Sequence, residues 1–188
     1  MLFRSELTGA LFGIAGVYLT VRENMWCFPV GIINVIITAY LLINARLYAD
    51  FLQQVVYFIL LIWGWYKWTE KDAQKNRHEI ISYLPKAQLA FYFTLWVLGT
   101  AGLYFLLVKF TDAHFPFWDS TGTVLCFIAQ WFVARKYIEN WLLWMAANVM
   151  YVVIYYLKDM PFYSALTLIY LLLAIRGYKE WKQKFSEG

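Results

Sequence analysis

Residues Trp141 to Leu157 read WLLWMAANVMYVVIYYL, seventeen positions without a formal charge, introduced by Glu139-Asn140 and closed by Lys158. A bilayer core of about 30 Å takes about 20 helical residues at 1.5 Å each, so the stretch reads as a short membrane-spanning helix. At 100° per residue Trp141, Trp144, Asn148, Tyr151 and Tyr155 share an arc of roughly 80°. Lipid does not select a face of two indoles, an amide and two phenols. That face is expected to turn toward protein or a cavity.

The same pattern extends along the chain. Charge-poor runs occur at Leu7–Val21, Met25–Ile43, Phe51–Tyr66, Ala87–Val108, Thr121–Ala134, Trp141–Leu157 and Met160–Ile175, each bounded by Arg, Lys, Asp or Glu. With 62% hydrophobic, 21% aromatic and only 15% charged residues, the composition excludes an ordinary soluble domain and a disordered chain. The runs lack the alternation of barrel strands and exceed the roughly 10 residues of one strand crossing. The fold class is therefore an all-α integral membrane protein with seven transmembrane helices. Runs shorter than 20 residues are workable because terminal Trp, Tyr, Lys and Arg reach the headgroup layer. The first run is read as a retained span, not a cleaved signal, because no cationic stretch with a small-residue cleavage site precedes it.

Orientation follows from the basic residues. Arg4, Arg46, Lys109 and Lys158 fall on one side, and the other twelve of the sixteen fall on the opposite side, which the positive-inside tendency assigns to the cytoplasm. The N-terminus is then outside and the C-terminus cytoplasmic. The hydrophilic connection from Lys67 to Lys86 is cytoplasmic too, with a partly helical KDAQKNRHEI piece and His78 on its surface. The net charge of +4 does not point to nucleic acid, since the basic residues lie between apolar runs without a stripe or recognition module. Cys27 and Cys126 make no CxxC or metal-ligand spacing and read as small buried hydrophobes.

An internal repeat links the third and seventh runs. Tyr57, Gly64 and Trp68 match Tyr170, Gly177 and Trp181 at a constant offset of 113, while Glu23-Asn24 echoes Glu139-Asn140 and mid-span Asn34 echoes Asn148. Two parallel three-helix repeats joined by an inverter helix are expected, a 3+1+3 plan with the fourth run, bearing Thr94 and Thr100, as the inverter. The expected boundaries are 1–68 for the first repeat, 69–110 for the loop and linker helix, and 111–188 for the second repeat and a cytoplasmic tail. Parallel repeats about an axis along the membrane normal are one way to build a transporter, with the site between the halves.

Polar groups inside spans carry the functional reading. Asn34, Asp50, Gln54 and Tyr57 in the first unit, and Gln130, Trp141, Trp144, Asn148, Tyr151 and Tyr163 in the second, are the candidate substrate-binding residues. Each one alone has a structural alternative, as an interhelical hydrogen bond or part of an interfacial aromatic belt. Aromatic faces with neighbouring amides suit a flat cationic heteroaromatic ligand, which ring quadrupoles attract while amides orient it. No nucleophile and base pair, metal-ligand spacing, P-loop or GxGxxG is found, so recognition is expected rather than catalysis, with no metal and no cofactor.

At these residues the chain resembles a known family. Arg135–Val149 (RKYIENWLLWMAANV), Phe115–Ser120 (FPFWDS), Ala45–Gln53 (ARLYADFLQ) and Gly64–Trp68 (GWYKW) are similar to the PnuC family of bacterial nicotinamide riboside transporters. The resemblance implies a seven-helix fold like that of the SWEET sugar carriers, trimers in the bacterial inner membrane, facilitated diffusion, and trapping of the vitamin by a cytosolic kinase. It also implies substrate contacts at Trp141, Trp144 and Asn148, with Gln54 as the third-helix glutamine. Leu61 departs from it, standing where family members carry an asparagine. Thiamine remains the alternative vitamin; a membrane enzyme or small receptor subunit is the alternative of another class.

Overall fold

The computed structural model describes residues 2–44, 48–73, 81–112 and 114–187. Among them are seven helices: α1 (Leu2–Val21), α2 (Cys27–Asn44), α3 (Tyr48–Ala73), α4 (Lys86–Phe110), α5 (Pro116–Arg135), α6 (Glu139–Leu157) and α7 (Pro161–Glu187). Each of the seven apolar runs becomes one helix. α2, α4, α6 and α7 are long and apolar enough to cross a membrane, and Leu7–Val21 is a shorter apolar stretch. α5 is less lipid-like because ten of its twenty residues are buried and it packs against α3, α4 and α6. A helix sheltered on three sides need not match the bilayer.

Two helices run well past their apolar stretches. α3 reaches Ala73 and α7 reaches Glu187, so the expected tail is helical. Ion pairs at helical spacing accompany these extensions, Lys67 to Glu70 at 2.9 Å and Arg176 to Glu180 at 2.7 Å. Residues 74–80, with His78 and most of the KDAQKNRHEI piece, lie outside the described residues. The chain then docks on the α5–α6 connection. The Ser82 N–H donates to the Lys136 carbonyl at 3.1 Å, the Ile138 N–H to the Ser82 carbonyl at 3.0 Å, and the Leu84 N–H to the Glu139 carboxylate at 2.9 Å.

The helices pack in a closed order. α1 lies on α2, α2 on α3, α3 on α5, α5 on α6, α6 on α7, and α7 back on α1, while α4 packs outside this ring against α5. α4 buries Thr100 alone and exposes Phe91, Phe93, Leu98, Phe105 and Phe110, as a helix facing lipid would.

The end at which α1 turns into α2 and α5 into α6, here the corner end, holds the larger of the two buried hydrophobic clusters. Both corners are built alike. Glu23 (φ 55°) and Lys136 (φ 56°) take the left-handed conformation that ends each helix. The Glu23 N–H donates to Thr20 at 3.0 Å and that of Asn24 to Leu19 at 2.9 Å; the Lys136 N–H donates to Val133 at 3.0 Å and that of Tyr137 to Phe132 at 3.0 Å. Every member of the second set lies 113 residues after its counterpart, the separation of Glu23 and Lys136 themselves.

The side chains behind the corners follow the same register. Phe28 meets Trp68 edge-on at 4.9 Å, and Trp141 meets Trp181 edge-on at 5.4 Å. Each contact needs a glycine nearby. A Cβ on Gly64 would sit 2.5 Å from the Phe28 ring, and one on Gly177 2.5 Å from the Trp141 ring. This register pairs Glu23 with Lys136 rather than Glu139, and Asn148 with Val35 rather than Asn34. The matching of Glu-Asn pairs and mid-span asparagines expected from residue identity is thereby corrected by three residues and by one.

Candidate functional site

α6 contacts two neighbours through the expected stripe. Near the corner end Trp141 is 1% exposed and lies against Gly177 of α7; farther along, the Tyr151 hydroxyl lies where a Cβ on Gly122 of α5 would be, 2.7 Å away. Between these two contacts sits Asn148, 7% exposed, whereas Leu142, Val149, Val153 and Tyr156 on the other side of α6 are open. Asn148 therefore faces the inside of the ring. A primary amide carries two donor hydrogens and an acceptor oxygen, which is the hydrogen-bonding capacity Asn148 brings to this face.

The rest of the stripe divides by depth. Trp141 is packed in the corner-end cluster with Val21, Phe28, Trp68, Ile138 and Trp181, and Trp144 lies partly buried on that cluster. Trp141 thus forms a floor and Trp144 its upper surface. The Trp141 indole N–H is buried without an acceptor among the described residues, and so is that of Trp68. Toward the opposite end Tyr151 stacks on Tyr155 at 5.8 Å with an interplanar angle of 21°, and Tyr155 contacts Tyr163 at 5.7 Å. Beyond them Lys158 pairs with Asp119 at 3.4 Å, and Asp50 lies within electrostatic reach of both.

α3 and α5 supply the neighbouring wall. Tyr57 meets Phe127 of α5 edge-on at 5.3 Å, and Leu61 on the same α3 face packs against Gly31 of α2, with Gln54 half-buried beside them on that face. Gln130 falls on the arc of α5 between Phe127, which faces α3, and Gly122, which faces α6. Asn34 points elsewhere. It lies against Gly9 and Gly13 of α1, so its amide fills space left by two glycines. Trp131, grouped with Gln130 by sequence, turns to α3 and α4. It stacks on Trp63 at 4.1 Å and donates to the Tyr92 hydroxyl at 3.0 Å.

The structure thus places Trp144, Asn148, Tyr151, Gln54, Tyr57 and Gln130 on inward faces, Trp141 in the floor, Asp50 and Tyr163 at the opposite end, and Asn34 at the α1–α2 contact. Thr167 is buried on α7 113 residues after Gln54, and sequence reasoning passed over the corner-end ion pairs of Glu23. These join Glu23 to Lys136 in another connection and to Lys184 of α7, and left no periodic signal. The wall is aromatic and amide-bearing, suited to a planar ligand that exchanges ring faces and hydrogen bonds.

Comparison with known proteins adds an independent line. Residues 4–183 match the family described as Nicotinamide mononucleotide transporter. The Nicotinamide riboside transporter PnuC of Escherichia coli (strain K12) is 28% identical over 200 residues, covering 94% of this chain and 84% of that protein. The Riboflavin/roseoflavin transporter RibM of Streptomyces davaonensis is 21% identical over 184 residues, with the same coverage of 94% and 84%. Among solved structures, that of the Vitamin B3 transporter PnuC superposes with a TM-score of 0.75 at 20% identity, covering 95% of this chain and 80% of that one.

Proposed function

The chain belongs to the PnuC family of nicotinamide mononucleotide transporters, a family of multi-pass membrane proteins, and from that premise we propose that it carries nicotinamide riboside by facilitated diffusion. The observation that carries the reading is Asn148, buried midway along α6 on the face that carries Trp144 one turn before it and Tyr151 one turn after it. The ligand's pyridinium stacks on Trp144 and its carboxamide or ribose hydroxyls bond Asn148, with Gln130 and Gln54 completing the polar contacts. A carrier without a carboxylate deep in its spans has no evident site for a coupling proton or sodium ion, so transport is uniport.

The recurrence of corner, ring pair and glycine at one offset supports two parallel three-helix repeats with α4 as the linker. Under the positive-inside tendency the corner end faces the cytoplasm and the Asp119–Lys158 end faces outward. The setting is the bacterial inner membrane, with trimer assembly and kinase trapping carried over from the family resemblance. Titration of the purified protein by tryptophan quenching against nicotinamide riboside, thiamine and riboflavin tests the substrate. The riboside is expected to saturate the signal at micromolar concentration and the other two to leave it unchanged. Thiamine saturation without a riboside response overturns the choice of vitamin, because Leu61 against Gly31 adds no polar partner to the α3 wall and either cationic ring fits an aromatic site.

A further inference from the structure

At the corner end the two halves are tied by charge as well as by rings. The Lys136 ammonium lies 3.4 Å from the Glu23 carboxylate, and Lys184 of α7 approaches its other oxygen at 2.6 Å. Lys136 also stands 4.7 Å from the centre of the Trp68 ring, so one cation touches both a carboxylate and the aromatic floor. Glu23 and Lys136 are only 17% and 18% exposed, which shelters the pair from solvent screening. At the opposite end the described ion pair, Lys158 to Asp119, stays within residues 111–188. Among the described ion pairs, those that cross between the halves lie at the corner end, while at the opposite end Asp50 reaches Lys158 and Asp119 only electrostatically.

Two features of this closure are unfavourable, and both sit in the same layer. Glu23 and Lys136 hold left-handed backbone that glycine would adopt without strain. The Trp68 and Trp141 indole N–H groups of the same layer are buried without acceptors among the described residues. Arg22 to Glu180 at 3.8 Å and the Trp181 indole N–H to the Val21 carbonyl at 3.1 Å bind α1 to α7, so Glu23 to Lys136 is the described ion pair that joins the two corners themselves, and a closure that stores strain and unsatisfied donors there is suited to release. We propose that the Glu23–Lys136 pair is the latch of a corner-end gate whose floor is Phe28, Trp68, Trp141 and Trp181. Breaking the pair separates the α1–α2 corner from the α5–α6 corner, and water then reaches the two indoles and the space below Asn148. The proposal rests on the carrier reading, but its test needs no substrate.

Cys27, the first residue of α2, is 4% exposed within this layer and serves as a native reporter. In full-length Cys126→Ala protein in nanodiscs, alkylation of Cys27 by a water-soluble maleimide is expected to be slow. Glu23→Gln is expected to speed it roughly five- to tenfold, Lys136→Met comparably, and the double variant no more than the faster single one, as for two groups acting through one contact. Cys126, buried midway along α5, is the control for unfolding when Cys27 is replaced by Ala. It is expected to stay slow in all variants. Unchanged Cys27 rates, multiplied effects in the double variant, or a parallel rise at Cys126 each overturn the latch.

Discussion

The α2 wall and the α6 wall are built on one scaffold and present opposite chemistry. In the register of 113 residues, Phe28, Gly31, Val35 and Thr38 of α2 stand where α6 has Trp141, Trp144, Asn148 and Tyr151, and even the neighbouring contacts correspond, Thr38 against Gly9 and Tyr151 against Gly122. Large and small exchange between the halves. Gly31 of α2 is filled by Leu61 of α3, whereas Trp144 of α6 lies on the cluster that contains Ala174 of α7. The corners and ring-on-glycine contacts carry the fold and recur; the amide and indole proposed to carry recognition occur once. On that proposal a ligand is held from the α6 side and merely enclosed from the α2 side.

The largest expected effect separates those two walls. Trp144→Ala is expected to weaken riboside binding by up to about 3 kcal/mol through lost stacking, with Asn148→Leu close behind. Val35→Ala, the α2 counterpart, is expected to change affinity by less than about twofold. Calorimetry on the three variants checks this, and equal losses on both walls would erase the asymmetry. Next comes the shared scaffold, where Gly177→Ala forces a methyl into the Trp141 ring at 2.5 Å and is expected to cost about 2 kcal/mol in thermal unfolding. Gly64→Ala is expected to cost a similar amount against Phe28, since here the halves are alike.

Smaller effects test features that belong to one half. Trp131→Phe keeps the ring against Trp63 but loses the hydrogen bond to Tyr92, and is expected to lower stability by about 1 kcal/mol with transport unchanged. Asp159, at the α6–α7 turn, has left-handed backbone (φ 53°) like Glu23 and Lys136 but is exposed and makes no ion pair among the described residues. Asp159→Gly is therefore expected to stabilise by roughly 0.5 kcal/mol, read as a raised melting temperature. If it destabilises instead, strain at these turns is not what distinguishes the latch residues.

Much of the fold was legible because charges bound every apolar run, and bilayer thickness converts run length into a helix. The ends were not, because Lys67–Glu70 and Arg176–Glu180 continue α3 and α7 by local pairing that hydropathy does not register. The repeat and its offset of 113 were visible in Gly64 and Gly177 with their tryptophans, but that offset was not carried over to α2 and α6. Identity favoured aligning Asn34 with Asn148, while the geometry is set by what each glycine receives, a Phe28 or Trp141 ring. At the site, periodicity gave the face of α6 but not the depth along it. Trp141 and Trp144 share that face, and only packing separates a buried floor from the surface above it.

Counterflow in sealed proteoliposomes tests the carrier account most directly. Vesicles preloaded with unlabelled nicotinamide riboside are expected to take up external labelled riboside transiently, with the compound recovered unchanged and with no response to an imposed proton or sodium gradient. The Trp144→Ala protein is expected to lose most of this exchange at low substrate concentration. Conversion of the riboside, accumulation driven by either gradient, or uptake no faster than in protein-free vesicles would contradict a uniporter built on the α6 wall.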